Sequence, residues 1–251
     1  MRDEAALPIA PEASAQGRRW SIWIDIEGFS TLWDRGNKAI LGLRAAMEGI
    51  YQIGTRIYHA DPDRLFAHQF GDGFIIVADF HEPQLDRCAA IAIALMRHVS
   101  GARPAIAEGA FADISGLWPM AIQAAAVRDG ADDRVALGSG IMTLLPVMGT
   151  ALIAANKLDA KNPVKGSILT VASANSARIS SAFQRQDVAT AKDVTIIDWV
   201  HTEHADIERM LMDAGVGRSA GDAEKAVRDY AVAEKPPFAW IDGTFSYNNI
   251  T

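Results

Sequence analysis

"WSIWIDIEGFSTLW", residues 20–33, sets a carboxylate, Asp25, inside an apolar, strand-like run and follows it at once with Glu27, Gly28, Phe29 and Ser30. An unpaired carboxylate is costly to bury or is neutralised by a raised pKa, so a core strand keeps one only where something cationic meets it. Two readings fit these residues alone. Asp25 is a strand-end residue that caps the helix to follow, or it belongs to a site that needs its charge.

Working outward, Ser30 opens a stretch in which Leu32, Ala39, Ile40, Leu43, Met47, Ile50 and Ile57 recur at helical spacing, so residues 20–26 form a strand that feeds a helix through a short turn. "LFAHQFGDGFIIVADF", residues 65–80, reads as a hairpin about Gly71-Asp72-Gly73. Strand alternation then places His68, Phe70 and Asp72 on one face. Residues 82–99 read as a helix, 103–115 as a strand, 117–130 as a helix and 150–162 as a helix stopped before Pro163. "GSILTV" and "VTIIDWV" close the core as strands. Hairpins mixed with crossovers predict an α+β sandwich with helices on one sheet face, not an all-parallel doubly wound sheet. The expected organisation is a disordered leader over 1–19, a catalytic domain over 20–200 and a C-terminal extension over 201–251. The extension comprises short helices and a Pro- and aromatic-rich tail that packs on a neighbour.

Composition narrows the function classes. A chain of 251 residues that is 49% hydrophobic can bury a full core, and a single cysteine, Cys88, rules out a disulfide framework or a cysteine metal knuckle and fits a reducing cytoplasm. The first residues lack the apolar centre of a signal peptide, and no run approaches a membrane span. A formal net charge of -7 argues against broad nucleic-acid binding while leaving room for a local basic nucleotide site.

Asp25 at a strand end and Asp72 in a hairpin turn would meet if their strands pair centrally. Two carboxylates converging beside a helix N-terminus suit Mg²⁺ or Mn²⁺, which are held by few protein oxygens and complete their shells with substrate phosphates. Two such ions serve in-line phosphoryl transfer, with the N–H groups of Gly28, Phe29 and Ser30 as a phosphate cradle.

At this point "WIDIEGFSTLW" (23–33) and "FGDGFI" (70–75) resemble the two metal-binding segments of the class III nucleotidyl cyclases. "PVMGTALIAANKLDAKNPVKGSILTV" (146–171) is similar to that family's glycine, helix and returning strand. The resemblance covers residues 20–200. It implies a ferredoxin-like palm with a central, mostly antiparallel sheet and flanking helices, two palms pairing head to tail as a homodimer with sites at the interface, and two Mn²⁺ or Mg²⁺ ions per site. It further implies metal ligation by Asp25, Asp72 and the Ile26 carbonyl, and a transition-state role for Lys157, where the family has arginine; lysine keeps the charge without the bidentate fork. The purine-reading positions depart from the family, with His68 in place of a lysine and Pro146 in place of an aspartate, and proline offers a base edge no side-chain acceptor. Pairing of intact metal ligands with a lost purine reader is similar to the Pycsar-type bacterial pyrimidine cyclases. The implied activity is conversion of UTP to cyclic UMP for antiphage defence, through a separate effector that senses the cyclic nucleotide. Alternatives are a cytidylate or adenylate cyclase and a non-catalytic, nucleotide-binding module. Tyr51 and Arg97, on the two long helices, are candidates to reach the base. Beside each stands a plainer reading: Lys157 as solvated surface, His68 as a satisfied core residue, and Tyr51 as packing.

Overall fold

The computed structural model describes residues 18–26, 38–60, 63–80, 84–99, 101–113, 118–128, 134–144 and 147–251. The expected leader, apart from the residues from Arg18 on, and residues 27–37 lie outside these.

Strand β1 (Arg18–Ile26), helix α1 (Lys38–Arg56), strands β2 (Arg64–Phe70) and β3 (Gly73–Asp79), helix α2 (Leu85–His98) and strand β4 (Ala102–Ala110) follow one another in a βαββαβ order. These strands pair antiparallel in the spatial order β4-β1-β3-β2, the arrangement of a ferredoxin-like unit. After β4 come β5 (Ala112–Asp113), α3 (Met120–Arg128), β6 (Arg134–Leu137), β7 (Gly140–Thr143), β8 (Val147–Met148) and α4 (Thr150–Lys161). Strand β9 (Leu169–Ala172), the short helix α5 (Ser173–Ser176), β10 (Arg185–Asp187) and β11 (Val194–Ile197) then extend the sheet. Seven strands run β10-β11-β9-β4-β1-β3-β2, and β4 with β9 is the parallel pair among antiparallel neighbours. The α+β class and the central antiparallel sheet are therefore as expected. The strand expected over 103–115 instead stops at Ala110, and β5 leaves the large sheet to pair with β8. The β6–β7 hairpin escaped the sequence reading, although Gly138-Ser139 supplies its turn and Gly138 carries the positive φ of 63°.

Two faces of the sheet differ in cover. Trp20, Ile22 and Ile24 of β1, with Phe74, Ile76 and Ala78 of β3, project from the back face into the main core, where α1 and α2 pack; Ile91, Ile93, Leu95 and Met96 of α2 are buried there. The front face carries Trp23, Ile75 and Val77 and is crossed by α4, which buries Ala151, Leu152, Ala155 and Leu158. Helices thus lie on both faces, where the sequence reading put them on one. Backbone proximity makes this possible: a Cβ on Gly109 would collide with the Ala151 amide, and one on Gly149 with the Ala110 carbonyl.

The C-terminal segment is continuous with this core. Helix α6 (Ala205–Arg209) runs into a π turn (Met210–Ala214), followed by α7 (Ala220–Glu234) and α8 (Phe238–Tyr247). Ile207, Met210, Val216, Val227, Trp240 and Ile250 all join the cluster that contains the back face. The aromatic tail expected to pack on a neighbour is α8, and it packs on its own chain.

One polar knot fastens this segment. The buried carboxylate of Asp198 accepts from the amides of Val200 and His201 and from the Asn249 side chain, and its Oδ2 lies 3.1 Å from His201 Nδ1. His201 Nε2 lies 3.3 Å from Glu224 on α7, which Arg228 also holds. Desolvation disfavours the imidazolium, but hydrogen bonds and charge from Asp198 and Glu224 outweigh it and raise the His201 pKa above 6.5. A raised folded-state pKa gives stability that is complete below the unfolded value and lost as pH climbs through the folded one. The melting temperature of the parent chain should therefore exceed that of His201→Gln most at about pH 5.5, roughly a unit below the unfolded value of ~6.5, and the gap should close towards alkaline pH. Thermal scans across that range check it; a gap that widens with pH would contradict the bridge.

Candidate active site

Strand β1 is hydrogen-bonded on both sides, and its register decides what surrounds Asp25. Trp23 pairs with Ile75 and Ile24 with Phe74, so one step further along the ladder brings Asp25 level with Gly73, the neighbour of Asp72. Gln69, Phe70 and Gly73 close the β2–β3 hairpin over a two-residue Gly71-Asp72 turn. Gly71 has φ of 58°, which the first position of a II′ turn needs, and its carbonyl accepts from Gln69 Nε2 at 2.9 Å. Gly73 must be glycine for a packing reason, because a Cβ there would stand 2.9 Å from the Ile24 carbonyl. The hairpin thereby brings the Asp72 backbone to the end of β1 where Asp25 sits. Both aspartates are partly exposed.

On the other side of β1, Asp25 is the register partner of Arg103, and partners in an antiparallel pair project from the same face. This answers the question the strand poses: a cation stands opposite the carboxylate. Arg103 is only 5% exposed. Its Nε donates to Asp159 Oδ1 on α4 at 2.6 Å, and its Nη1 to the Gly166 carbonyl at 3.3 Å. It therefore ties the front face of the sheet to the last turn of α4, the helix of Lys157. Sequence reasoning missed Arg103, though the signal was the same as for Asp25: a charge inside the apolar run "ARPAIA".

The remaining candidates separate by sheet face. His68 pairs with Ile75, which pairs in turn with Trp23, so the imidazole lies on the front face with Asp25. Its Nε2 is buried without a protein hydrogen-bond partner, and burial lowers its pKa, leaving a neutral ring. Lys157 is exposed on α4, over the same face. Ile26 turns its side chain to the back face, against Gly42 of α1. Gly28, Phe29, Ser30 and Pro146 lie outside the described residues.

Tyr51 and Arg97 are corrected. Both helices that carry them pack on the back face, away from Asp25. Tyr51 is 66% exposed and lines a groove of about 460 Å³ between α1 and edge strand β2, with Met47, Arg64 and Gln69. Arg97 is buried, with its guanidinium donating to the carbonyls of Trp199, Val200 and Thr202 at 3.0, 2.9 and 2.6 Å. Its Nε and Nη2 hold the turn after β11, on the side of the sheet away from Asp25.

Among the described residues no group of three or more His, Cys, Asp or Glu side chains converges. Asp25, Asp72 and the Ile26 carbonyl offer hard oxygen donors, the type that suits a divalent ion keeping places for water or phosphate oxygens. No helix of the described residues is long and apolar enough to cross a membrane.

No protein-family model matches the sequence, and no curated protein matches it. Solved structures similar to the chain include a monomeric form of the guanylyl cyclase domain of the RhoGC fusion protein from the aquatic fungus Blastocladiella emersonii, at 13% identity and a TM-score of 0.48, covering 72% of this chain and 93% of that one. A bacterial light-regulated adenylyl cyclase aligns at 11% identity and a TM-score of 0.43, covering 77% of this chain and 55% of that one. The guanylyl cyclase Cya2 aligns at 10% identity and a TM-score of 0.39, covering 72% and 89%. These likenesses are remote, and the assignment of the fold rests on the chain's own strand order.

Removing one partner of a buried ion pair leaves the other uncompensated, at a cost of about 3 kcal/mol or more. Arg103→Met is expected to lower unfolding stability by roughly that amount and Arg103→Lys by less, since lysine keeps the charge but cannot serve Asp159 and the Gly166 carbonyl together. Urea unfolding of the two variants measures this; equal stabilities would show that the guanidinium geometry is immaterial.

Proposed function

We propose that the protein is a nucleotidyl cyclase that converts a nucleoside triphosphate, with UTP preferred, into its 3′,5′-cyclic monophosphate and pyrophosphate. The observation that carries this reading is the register of β1 against β3, which brings Asp25 level with the Gly71-Asp72 turn at one end of the central strands. The sequence resemblance around both aspartates agrees with it.

In this reading Asp25, Asp72 and the Ile26 carbonyl hold divalent ions, Mn²⁺ or Mg²⁺, which supply Lewis acidity towards the phosphates and the 3′-hydroxyl. The chain's own residues do the rest. Lys157 offers a positive charge to the α-phosphate as the 3′-oxygen bonds to phosphorus, the bond to the bridging oxygen breaks and pyrophosphate leaves; the hydroxyl proton passes to solvent. Residues 28–30 cradle the triphosphate. His68 supplies the base contact: its buried, unpartnered Nε2 on the Asp25 face is a polar atom suited to a ring edge, and a neutral imidazole fits a pyrimidine where a lysine would select a purine. On this side of the sheet Phe70 of β2, Met148 of β8 and Ile153 of α4 are exposed. A second copy of the chain covers these residues and brings its own Lys157 to the carboxylates. The cyclic product then acts on a separate effector in antiphage defence.

Incubation of the full chain with ATP, GTP, CTP and UTP and Mn²⁺ tests the reading by pyrophosphate release and product identity. UTP is expected to turn over fastest. Asp25→Asn and Asp72→Asn should each reduce kcat by a factor on the order of 100 or more while leaving the fold intact, since each removes an anionic ligand at a partly exposed position. ATP as best substrate would overturn the base assignment alone, and no pyrophosphate from any nucleotide would leave a binding module. Mixing Asp25→Asn chains with Lys157→Ala chains should restore part of the activity, because one of two sites in each heterodimer is then intact; no recovery in verified heterodimers would refute the shared site.

A further inference from the structure

We infer that C-terminal helix α8 is a positioning element for the candidate active site, acting through Thr244 and Ser167 on the end of strand β1. The catalytic consequence of this role rests on the cyclase reading, while its geometry is that of the contacts around Ser167. Ser167, in the segment between α4 and β9, is fully buried and bonded in three directions. Its amide donates to Thr244 Oγ1 of α8 at 2.9 Å. Its carbonyl accepts from the Trp199 indole at 2.9 Å and from the Asn248 amide at 3.3 Å. Its hydroxyl donates to the Ala102 carbonyl at 2.7 Å.

Ala102 is the ladder partner of Ile26, the last residue of β1 and the one whose carbonyl is assigned to the metal. The β1–β4 ladder ends at this pair, where strands are least constrained. A hydroxyl that holds the Ala102 carbonyl removes that freedom just before residues 27–30. Two further contacts fit α8 to the same segment. A Cβ on Gly243 would collide with the Lys165 carbonyl, and one on Gly166, whose φ is 117°, with Thr244 Oγ1. Arg103, opposite Asp25, donates to the Gly166 carbonyl. The helix therefore meets the site's two strand-end residues, Ile26 through Ser167 and Asp25's partner through Gly166. A helix that served only to cover the core would need apolar contacts such as those of Trp240, in one cluster with Ile250, and no such relay.

Thr244→Val keeps the shape and removes the acceptor, Ser167→Ala removes the hydroxyl, and Thr244→Ser keeps the relay. In the full chain, hydrogen exchange at Ile24–Ile26 is expected to accelerate about tenfold in Thr244→Val and Ser167→Ala but not in Thr244→Ser. Mn²⁺ binding, read by electron paramagnetic resonance without turnover, should weaken severalfold in the same two variants. Their kcat should fall about tenfold with KM within twofold, and the double variant should be no worse than the poorer single one, as expected of residues in one chain of contacts. Unchanged exchange at the β1 end in both variants overturns the proposal, as does a lowered melting temperature with parental exchange and Mn²⁺ affinity. If the parent chain releases no pyrophosphate, the cyclase reading fails on its own, while the exchange difference still decides the role of α8.

Discussion

Strand β1 is paired along both edges, and its register against β3 and β4 is the constraint from which the rest of the structure follows. Because side chains alternate, a shift of one residue would exchange the two faces, sending Asp25 into the apolar back core and Trp20, Ile22 and Ile24 to the front. Burial of those three against α1 and α2 opposes any such slip. The same register sets Asp25 opposite Arg103 and level with the β2–β3 turn, so the packing of the back face holds the charged groups of the front one in place.

The two faces carry different duties. The back face is closed by α1, α2 and the C-terminal helices into one large apolar cluster, and the Arg97 guanidinium buried beside it donates to main-chain carbonyls. The front face is crossed by α4 over its middle, and α4 approaches closely enough only because Gly109 and Gly149 have no side chains. At the end of that helix Arg103, Asp159 and the Gly166 carbonyl form a buried polar junction. A charged network of this kind contributes less to net stability than an apolar core of the same volume, but it fixes geometry. Its place beside Asp25 makes that geometry matter.

Much of the fold was legible because it is written in short-range patterns. Alternation marked β1 and the β2–β3 hairpin, Gly71-Asp72-Gly73 marked the turn, and the apolar spacing of 85–99 marked α2. Errors arose where long-range contacts decide. The run 103–115 has no local stop signal, yet β5 departs to pair with β8. Tyr51 and Arg97 have polar tips on long helices, and only the packing of both helices on the back face shows that neither looks towards Asp25.

By itself the sequence determined that Asp25 is anomalous, since a carboxylate in "WSIWIDI" must be compensated wherever that strand goes. It also determined that Asp72 occupies a tight turn, because glycine on either side permits little else. What stands opposite Asp25 was decided by tertiary structure. Arg103 lies 78 positions away in the chain numbering and becomes its partner only through the β1–β4 register. The placing of α8 was decided in the same way. Nothing local in "FAWIDGTFSY" points to Ser167; the contact exists because Gly243 lets the helix lie on the Lys165 carbonyl, and that requires both segments to be folded first.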